Sequence, residues 1–229
     1  MLEVNKLKVC YGESVIIEDL SLKLPDNEIL GIMGRNGMGK TTLFKSLIGM
    51  VQPISGEIIL NGEDIASYPS YKRVMSGMAF VPQGRMIFPS LTVTENIQVG
   101  LEKMNTQKVP EYVYEIFPVL KEMGKRKGGN LSGGQQQQLA IARALVTEPK
   151  VLILDEPTEG IQPSIIKEIA QVLRKIRDMK NISILVAEQV LSFALDACDR
   201  FLVIDGGEFI YEKSRDEVDA EKVKALLAV

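Results

Sequence analysis

Residues 28–33 form a short apolar run that ends in Gly34-Arg35-Asn36-Gly37-Met38-Gly39-Lys40-Thr41, and residues 41–48 continue with the apolar spacing of a helix. Strand, glycine-rich loop of the form G-x-x-x-x-G-K-[ST] and helix, in that order, commit the chain to an α/β core built around a phosphate cradle. The chemistry explains the residue types. Glycines at 34, 37 and 39 are expected to let the backbone wrap a phosphate where a Cβ would clash. Lys40 supplies a point charge for β and γ phosphates, and Thr41 a hydroxyl for Mg²⁺. The helix that follows directs its positive N-terminal dipole at the anion.

A second element carries the matching acid. Val151-Leu152-Ile153-Leu154-Asp155-Glu156 reads as a buried strand ending in two carboxylates. Behind a phosphate loop, Asp155 suits the Mg²⁺ shell, and Glu156 suits orienting and deprotonating an attacking water. The 229-residue chain contains no histidine, which removes imidazole as base or metal ligand. Lysines and arginines number 27 against 30 aspartates and glutamates, a net charge of −3. With no long basic run, nothing marks a nucleic-acid surface. Cys10 and Cys198 sit in unrelated contexts and point to a reducing compartment rather than a disulfide framework. The N-terminus lacks the pattern of a signal peptide, and no apolar run reaches the ~18 residues of a membrane span, so a soluble, cytosolic chain is expected.

Along the chain, residues 2–9 and 15–24 read as strands around a turn at Tyr11-Gly12-Glu13. Residues 57–60 and 78–81 read as further strands, the first followed by an Asn61-Gly62 turn. The stretch from about 86 to 148 is mostly helical, with helices at 94–101, at 111–123 interrupted by Pro118, and from a Ser132 cap to about 147. A basic, glycine-rich loop at 125–129 precedes that cap. Alternation then returns: strand 151–155, helix 163–179, strand 182–187, short helix 190–197, strand 201–205 and a hairpin to 211, with a last helix in 216–229. That helix gathers Val218, Val223, Leu226 and Leu227 on one side. The expectation is one domain over residues 1–229, an α/β core with a helical insert.

Over nearly its whole length the chain resembles the nucleotide-binding subunits of ABC transporters. Residues 34–42 match that family's Walker A, Leu131-Ser132-Gly133-Gly134-Gln135 its signature motif, and residues 151–156 its Walker B. Gln83, in Val81-Pro82-Gln83, stands at the Q-loop position and Tyr11 at the A-loop position. The resemblance implies a P-loop NTPase cassette with an antiparallel β subdomain, using ATP and Mg²⁺. It puts Gly34, Arg35, Asn36, Gly37, Met38, Gly39, Lys40, Thr41 and Thr42 around the triphosphate and Tyr11 on the adenine. It adds Gln83 to Thr41 and Asp155 at the metal, and names Glu156, Gln83 and Gln189 as catalytic. Ser132, Gly133, Gly134 and Gln135 would form an anion site at a helix N-terminus that meets the γ-phosphate of a nucleotide held by the opposite subunit. The implied partners are a second cassette, identical or related, two transmembrane permease subunits and, through them, a solute-binding protein, with no nucleic acid. The implied place is peripheral, on the cytoplasmic face of a bacterial inner membrane.

Finer similarity points to the branched-chain amino acid and amide importer group, through residues 34–39, 81–89 and 157–163. The run from Leu131 to Ala140, with four consecutive glutamines at 135–138, followed later by Gly160-Ile161-Gln162-Pro163-Ser164-Ile165-Ile166, looks most like urea-importer ATP-binding subunits. Urea import is therefore the expectation, with branched-chain amino acids or amides as the alternative. A nucleotide-gated clamp outside transport is the alternative of another class. One departure stands out. The family usually carries a histidine after the strand that follows Walker B, and Gln189 occupies that position here. A glutamine can donate a hydrogen bond but carries no proton or charge, which leaves Glu156 as the expected base.

Overall fold

In the computed structural model, which describes residues 1–104 and 106–228, β3 (Ile29–Met33), β7 (Val151–Asp155) and β8 (Ser183–Glu188) are buried along their whole length. Their alternate residues feed two different cores. Ile29, Met33, Leu152, Leu154, Ile184 and Val186 face one, and Leu30, Ile32, Val151, Ile153, Leu185 and Ala187 face the other. A parallel strand covered on both faces needs apolar residues at every position, which is why these segments read as unbroken runs. With β6 (Met78–Val81), β9 (Arg200–Asp205) and β10 (Glu208–Ser214) they build a six-stranded sheet in the order β10-β9-β3-β8-β7-β6. Every pairing in it is parallel except that of the edge strand β10 with β9.

A second, antiparallel sheet is made by β1 (Leu2–Tyr11), β2 (Ser14–Leu24), β4 (Ser55–Leu60) and β5 (Glu63–Asp64). Its inward residues, among them Leu2, Val4, Leu22 and Ile58, close over α1 (Lys40–Leu47), whose Leu43, Phe44 and Leu47 are fully buried in the same core. The helix that follows the phosphate loop is thus held between two sheets. Its far end is fixed by a side chain with no apolar signature. Arg73, on α2 (Ser70–Met75), is completely buried and donates to the carbonyls of Ser46, Leu47, Ala66 and Tyr68 at 2.6, 2.9, 2.6 and 2.9 Å. Two of these are carbonyls in the last turn of α1, where a cation is also favoured by the helix dipole.

Between β6 and β7 lie α3 (Val93–Val99), α4 (Glu111–Ile116), α5 (Pro118–Glu122) and α6 (Gly133–Leu145). Pro118 opens α5 as its first residue, so the expected interruption is a break between two short helices. Thr92 and Ser132 each make a reciprocal capping box, with Glu95 and Gln135, which fixes where α3 and α6 begin. The remaining helices are α7 (Pro163–Lys180), α8 (Leu191–Ala197) and α9 (Ala220–Ala228). Val223 of α9 is buried, with Val218, Leu226 and Leu227 packed on the same core. Val229, at the end of that expected segment, lies outside the described residues. Two expectations change. The first strand runs to Tyr11, leaving Gly12 and Glu13 as the turn, and the stretch between Asn61-Gly62 and β6, to which the sequence assigned no element, holds β5 and α2.

Candidate active site

Four neighbouring parallel strands, β3, β8, β7 and β6, end on one edge of the sheet, and each delivers a polar residue there. Loops at the carboxyl ends of such strands are the usual ligand crevice of an open α/β sheet. After β3 comes the phosphate loop with Asn36 and Lys40, after β8 Gln189, at the end of β7 Asp155 and Glu156, and after β6 Gln83.

Their side chains converge on Glu156. Its Oε1 accepts from Gln189 Nε2 at 3.0 Å and lies 3.3 Å from Lys40 Nζ, while its Oε2 accepts from Gln83 Nε2 at 3.3 Å. Glu156 is 9% exposed and Lys40 4%, so this ion pair sits largely out of water, where the attraction is little screened. Lys40 also donates to the carbonyls of Gly34 and Arg35 at 2.6 and 3.0 Å. Gln189 Nε2 is shared with Asn36 Oδ1 at 2.8 Å, and Gln83 Nε2 with Glu159 Oε1 at 3.2 Å. Glu156 itself has a φ of +48°. A non-glycine residue there costs about 1–3 kcal/mol, and the three donors around its carboxylate offset that cost.

Asp155 differs from its neighbour. It is 2% exposed, its Oδ1 has no hydrogen-bond partner, and burial pushes its carboxyl up to about 6. The Thr41 hydroxyl's hydrogen bond and the Lys40 and Lys45 ammoniums pull the other way, and the Glu156 charge adds to the rise. A buried carboxylate oxygen without a partner beside a threonine hydroxyl is a donor set that fits a hard cation such as Mg²⁺. Among the described residues no group of three or more acidic, cysteine or histidine side chains could hold a metal. One protein carboxylate and a hydroxyl, completed by phosphate oxygens, is the arrangement Mg²⁺ favours.

The glycines divide into two kinds. Gly37, with φ +83° and open space at its Cβ position, is free for a ligand to approach. Gly34 is not. A Cβ there would lie 2.7 Å from the Ile204 carbonyl oxygen and 2.8 Å from Ile204 Cγ2, so the packing of the loop on β9 by itself requires this glycine. Gly34→Ala should lower stability by about 1–3 kcal/mol through overpacking, a loss of several degrees in thermal midpoint. An unchanged midpoint would show that β9 yields without cost.

The other expected residues lie around this cluster. Arg35 pairs with Asp205 at 3.7 Å, and Met38 packs on the core under the antiparallel sheet. Thr42 is half-buried on the first turn of α1. Tyr11 is 47% exposed at the tip of the first hairpin. The second strand of that hairpin brings Ile16 O to 3.7 Å from the Cβ position of Gly39. Ser132, exposed, and Gln135 satisfy one another across the start of α6, at 3.0 and 3.3 Å. Gly134 is explained by packing, since a Cβ would lie 2.5 Å from Ile165 Cγ2 on α7, and Gly133 faces the Gly160 carbonyl and Arg85. Among the described residues no hydrogen bond joins Ser132, Gly133, Gly134 or Gln135 to the Lys40–Glu156 cluster.

Two residues that sequence reasoning passed over belong here. Arg85 donates to the Glu159 carbonyl at 2.6 Å and to Gln136 Oε1 at 3.4 Å, bridging the loop after β6 to α6. Glu188, at the end of β8, is 2% exposed and accepts from Thr158 and from the two residues that follow it. Its signal was available, because an acid closing an apolar run is the pattern that singled out Asp155.

A family model described as ABC transporter matches residues 17–159. The high-affinity branched-chain amino acid transport ATP-binding protein BraG of Pseudomonas aeruginosa is 38% identical over 213 residues, covering 92% of this chain and 91% of its own. The probable branched-chain amino acid transport ATP-binding protein LivF of Archaeoglobus fulgidus is 36% identical over 230 residues, covering 99% and 98%. Among solved structures, a nucleotide-free ATP-binding cassette from an ABC transporter superposes with a TM-score of 0.85 at 25% identity, covering 100% of this chain and 95% of that one.

Proposed function

Because this chain belongs to the ABC transporter family, as an ATP-binding subunit with the cassette fold, we propose that its ATPase activity drives an importer of branched-chain amino acids or kindred amides. The similarity to BraG and LivF supports that solute class. The urea reading rested on the glutamine-rich run after Leu131 and on residues 160–166, and neither of these relatives is named for urea.

The observation that carries the activity is the Glu156 carboxylate, gripped by Lys40, Gln83 and Gln189 beside the unpartnered oxygen of Asp155. In this reading the loop 34–42 cradles the triphosphate, with its N–H groups and the α1 dipole facing the anion, and Tyr11 stacks on the base. Asp155, Thr41 and the Gln83 amide oxygen would hold Mg²⁺, which would supply charge neutralisation to the triphosphate. Glu156 takes the proton of the attacking water at one carboxylate oxygen. Gln189 and Gln83 hold that carboxylate in place and add no proton transfer of their own. Ser132 and the N–H groups that open α6, where Ser132 and Gln135 hydrogen-bond each other, would act on a nucleotide held by a second cassette. Two such cassettes and two permease subunits complete the assembly, with a solute-binding protein delivering to it. Among the described residues no helix is long and apolar enough to cross a membrane, in keeping with a subunit docked on the membrane from one side.

The test is ATP hydrolysis by the purified chain across a range of protein concentrations, with and without Mg²⁺. Then comes the reconstituted complex with its permeases and binding protein, supplied with leucine, a short amide or urea. Turnover that needs Mg²⁺ and rises more steeply than linearly with concentration supports a dimerising ATPase. Stimulation by urea alone would restore the narrower reading over the one favoured here. Within the site, Gln189→Ala should lower turnover by about tenfold, less than loss of the Glu156 carboxylate, because it removes orientation and not the base. An equal or larger loss than in Glu156→Gln would reverse that ranking.

A further inference from the structure

Glu188 is a buried carboxylate to which the reaction gives no task, yet both of its oxygens are fully used. Oε1 accepts the Thr158 N–H at 3.0 Å and the Thr158 hydroxyl at 2.6 Å. Oε2 accepts the N–H groups of Gln189 at 2.9 Å and Val190 at 3.1 Å. Thr158 stands in the turn that follows β7 and Gln189 in the loop that follows β8, so one side chain ties together the two loops flanking Glu156. Burial pushes the Glu188 carboxyl up, and all four hydrogen bonds pull it back down, those of Thr158, Val190 and Gln189 alike. A strand end can be closed by an apolar residue at no desolvation cost. A carboxylate with four donors aimed at it is a solution to a different problem, that of holding two loops in register.

We propose that Glu188 is a positioning residue for the hydrolytic site. It fixes the start of the 189–190 loop so that the Gln189 amide meets Glu156 and Asn36, and it makes the place of that amide depend on where Thr158 sits. The proposal rests on the ATPase reading only in giving Glu156 the role of base. Its chemistry is specific to an acceptor-only group. Glu188→Gln keeps the volume but turns an NH₂ toward either the Thr158 donors or the Gln189 and Val190 donors, so one loop must be released.

The experiment pairs Glu188→Gln with a double-mutant cycle of Thr158→Ala and Gln189→Ala, each measured in the wild-type and the Glu188→Gln backgrounds. Glu188→Gln should lower kcat by about 10- to 100-fold while KM and the dissociation constant for ATP stay within about twofold, the pattern of a displaced catalytic group. Thr158→Ala and Gln189→Ala should be non-additive in the wild type and additive once Glu188 is glutamine. Unchanged kcat in Glu188→Gln, or additivity in both backgrounds, overturns the proposal. So does a fall in kcat that comes only with a matching fall in thermal midpoint and ATP affinity, which would mark a folding role. Amide hydrogen exchange separates this from failure of the ATPase reading. If the wild type turns over no ATP, faster exchange at the Gln189 and Val190 N–H groups in Thr158→Ala still supports the tie, and unchanged exchange there overturns it.

Discussion

Glu156→Gln should bind ATP nearly as the wild type does and hydrolyse it about 10²–10⁴ times more slowly. The two halves of that expectation come from different parts of the structure. In the proposed reading binding depends on the backbone of the 34–39 loop, on Lys40 and on the N-terminus of α1, and of these the substitution reaches only Lys40, by removing its ion pair with Glu156. Hydrolysis depends on a carboxylate that can accept a proton, and an amide cannot. The environment sharpens the effect. All three groups around Glu156, namely Lys40, Gln83 and Gln189, present donors to its oxygens. A glutamine would direct its own NH₂ at one of them, so the side chain also loses its orientation. Loss of the base lowers kcat with little change in binding, and single-turnover hydrolysis beside an equilibrium ATP titration separates the two. Hydrolysis within about threefold of the wild type would remove Glu156 as the base, since general-base catalysis contributes far more than that.

What the sequence revealed and what it concealed follow from the kind of interaction involved. The strands β3, β7 and β8 were legible because burial on both faces imposes an unbroken apolar run, and the start of α6 was legible because a capping box is written in adjacent residues. Lys40 and Glu156 were legible as motif members. Their ion pair and the approach of Gln83 and Gln189 were not, because those depend on the order β3-β8-β7-β6, which no local pattern encodes. Arg73 is the clearest loss. Nothing in Ser-Tyr-Lys-Arg-Val-Met marks its arginine for the interior, yet Arg73 is fully buried among four carbonyls from two segments. The glycines taught a different lesson. Gly34 and Gly134 sit in phosphate-binding patterns, but both are required by close packing within the chain, on Ile204 and Ile165. A motif thus marked positions whose packing demands it does not express.

Lys40→Ala should show the opposite pattern to Glu156→Gln, with ATP affinity itself lost by about 10- to 100-fold. That is the range expected for removing a charge-assisted contact of about 1.5–3 kcal/mol at a phosphate. The ammonium has three protons and three partners, the carbonyls of Gly34 and Arg35 and the carboxylate of Glu156. A triphosphate that takes up Lys40 must displace one of them. The two carbonyls belong to the cradle itself, so the partner to be exchanged is Glu156. Nucleotide binding and release of the base from its counter-ion are then one event at a single side chain. Lys40→Ala breaks both functions: the phosphate loses its cation, and Glu156 is left buried with two amide donors and no neutralising charge. A buried carboxylate stripped of its partner is destabilising, so the thermal midpoint of the nucleotide-free chain should also fall. Turnover at saturating ATP should drop further than affinity, by about 10³, because charge developing on the transferred phosphoryl group loses its nearest fixed cation. Lys40→Arg separates the terms, since it keeps a charge for Glu156 while its planar fork fits the two-carbonyl seat poorly. Restored stability with persistently weak ATP binding in that variant would support the exchange of Lys40 between Glu156 and phosphate. Equal ATP affinity in the wild type and Lys40→Ala would sink it, and with it the assignment of Gly34 to Thr42 as the triphosphate cradle.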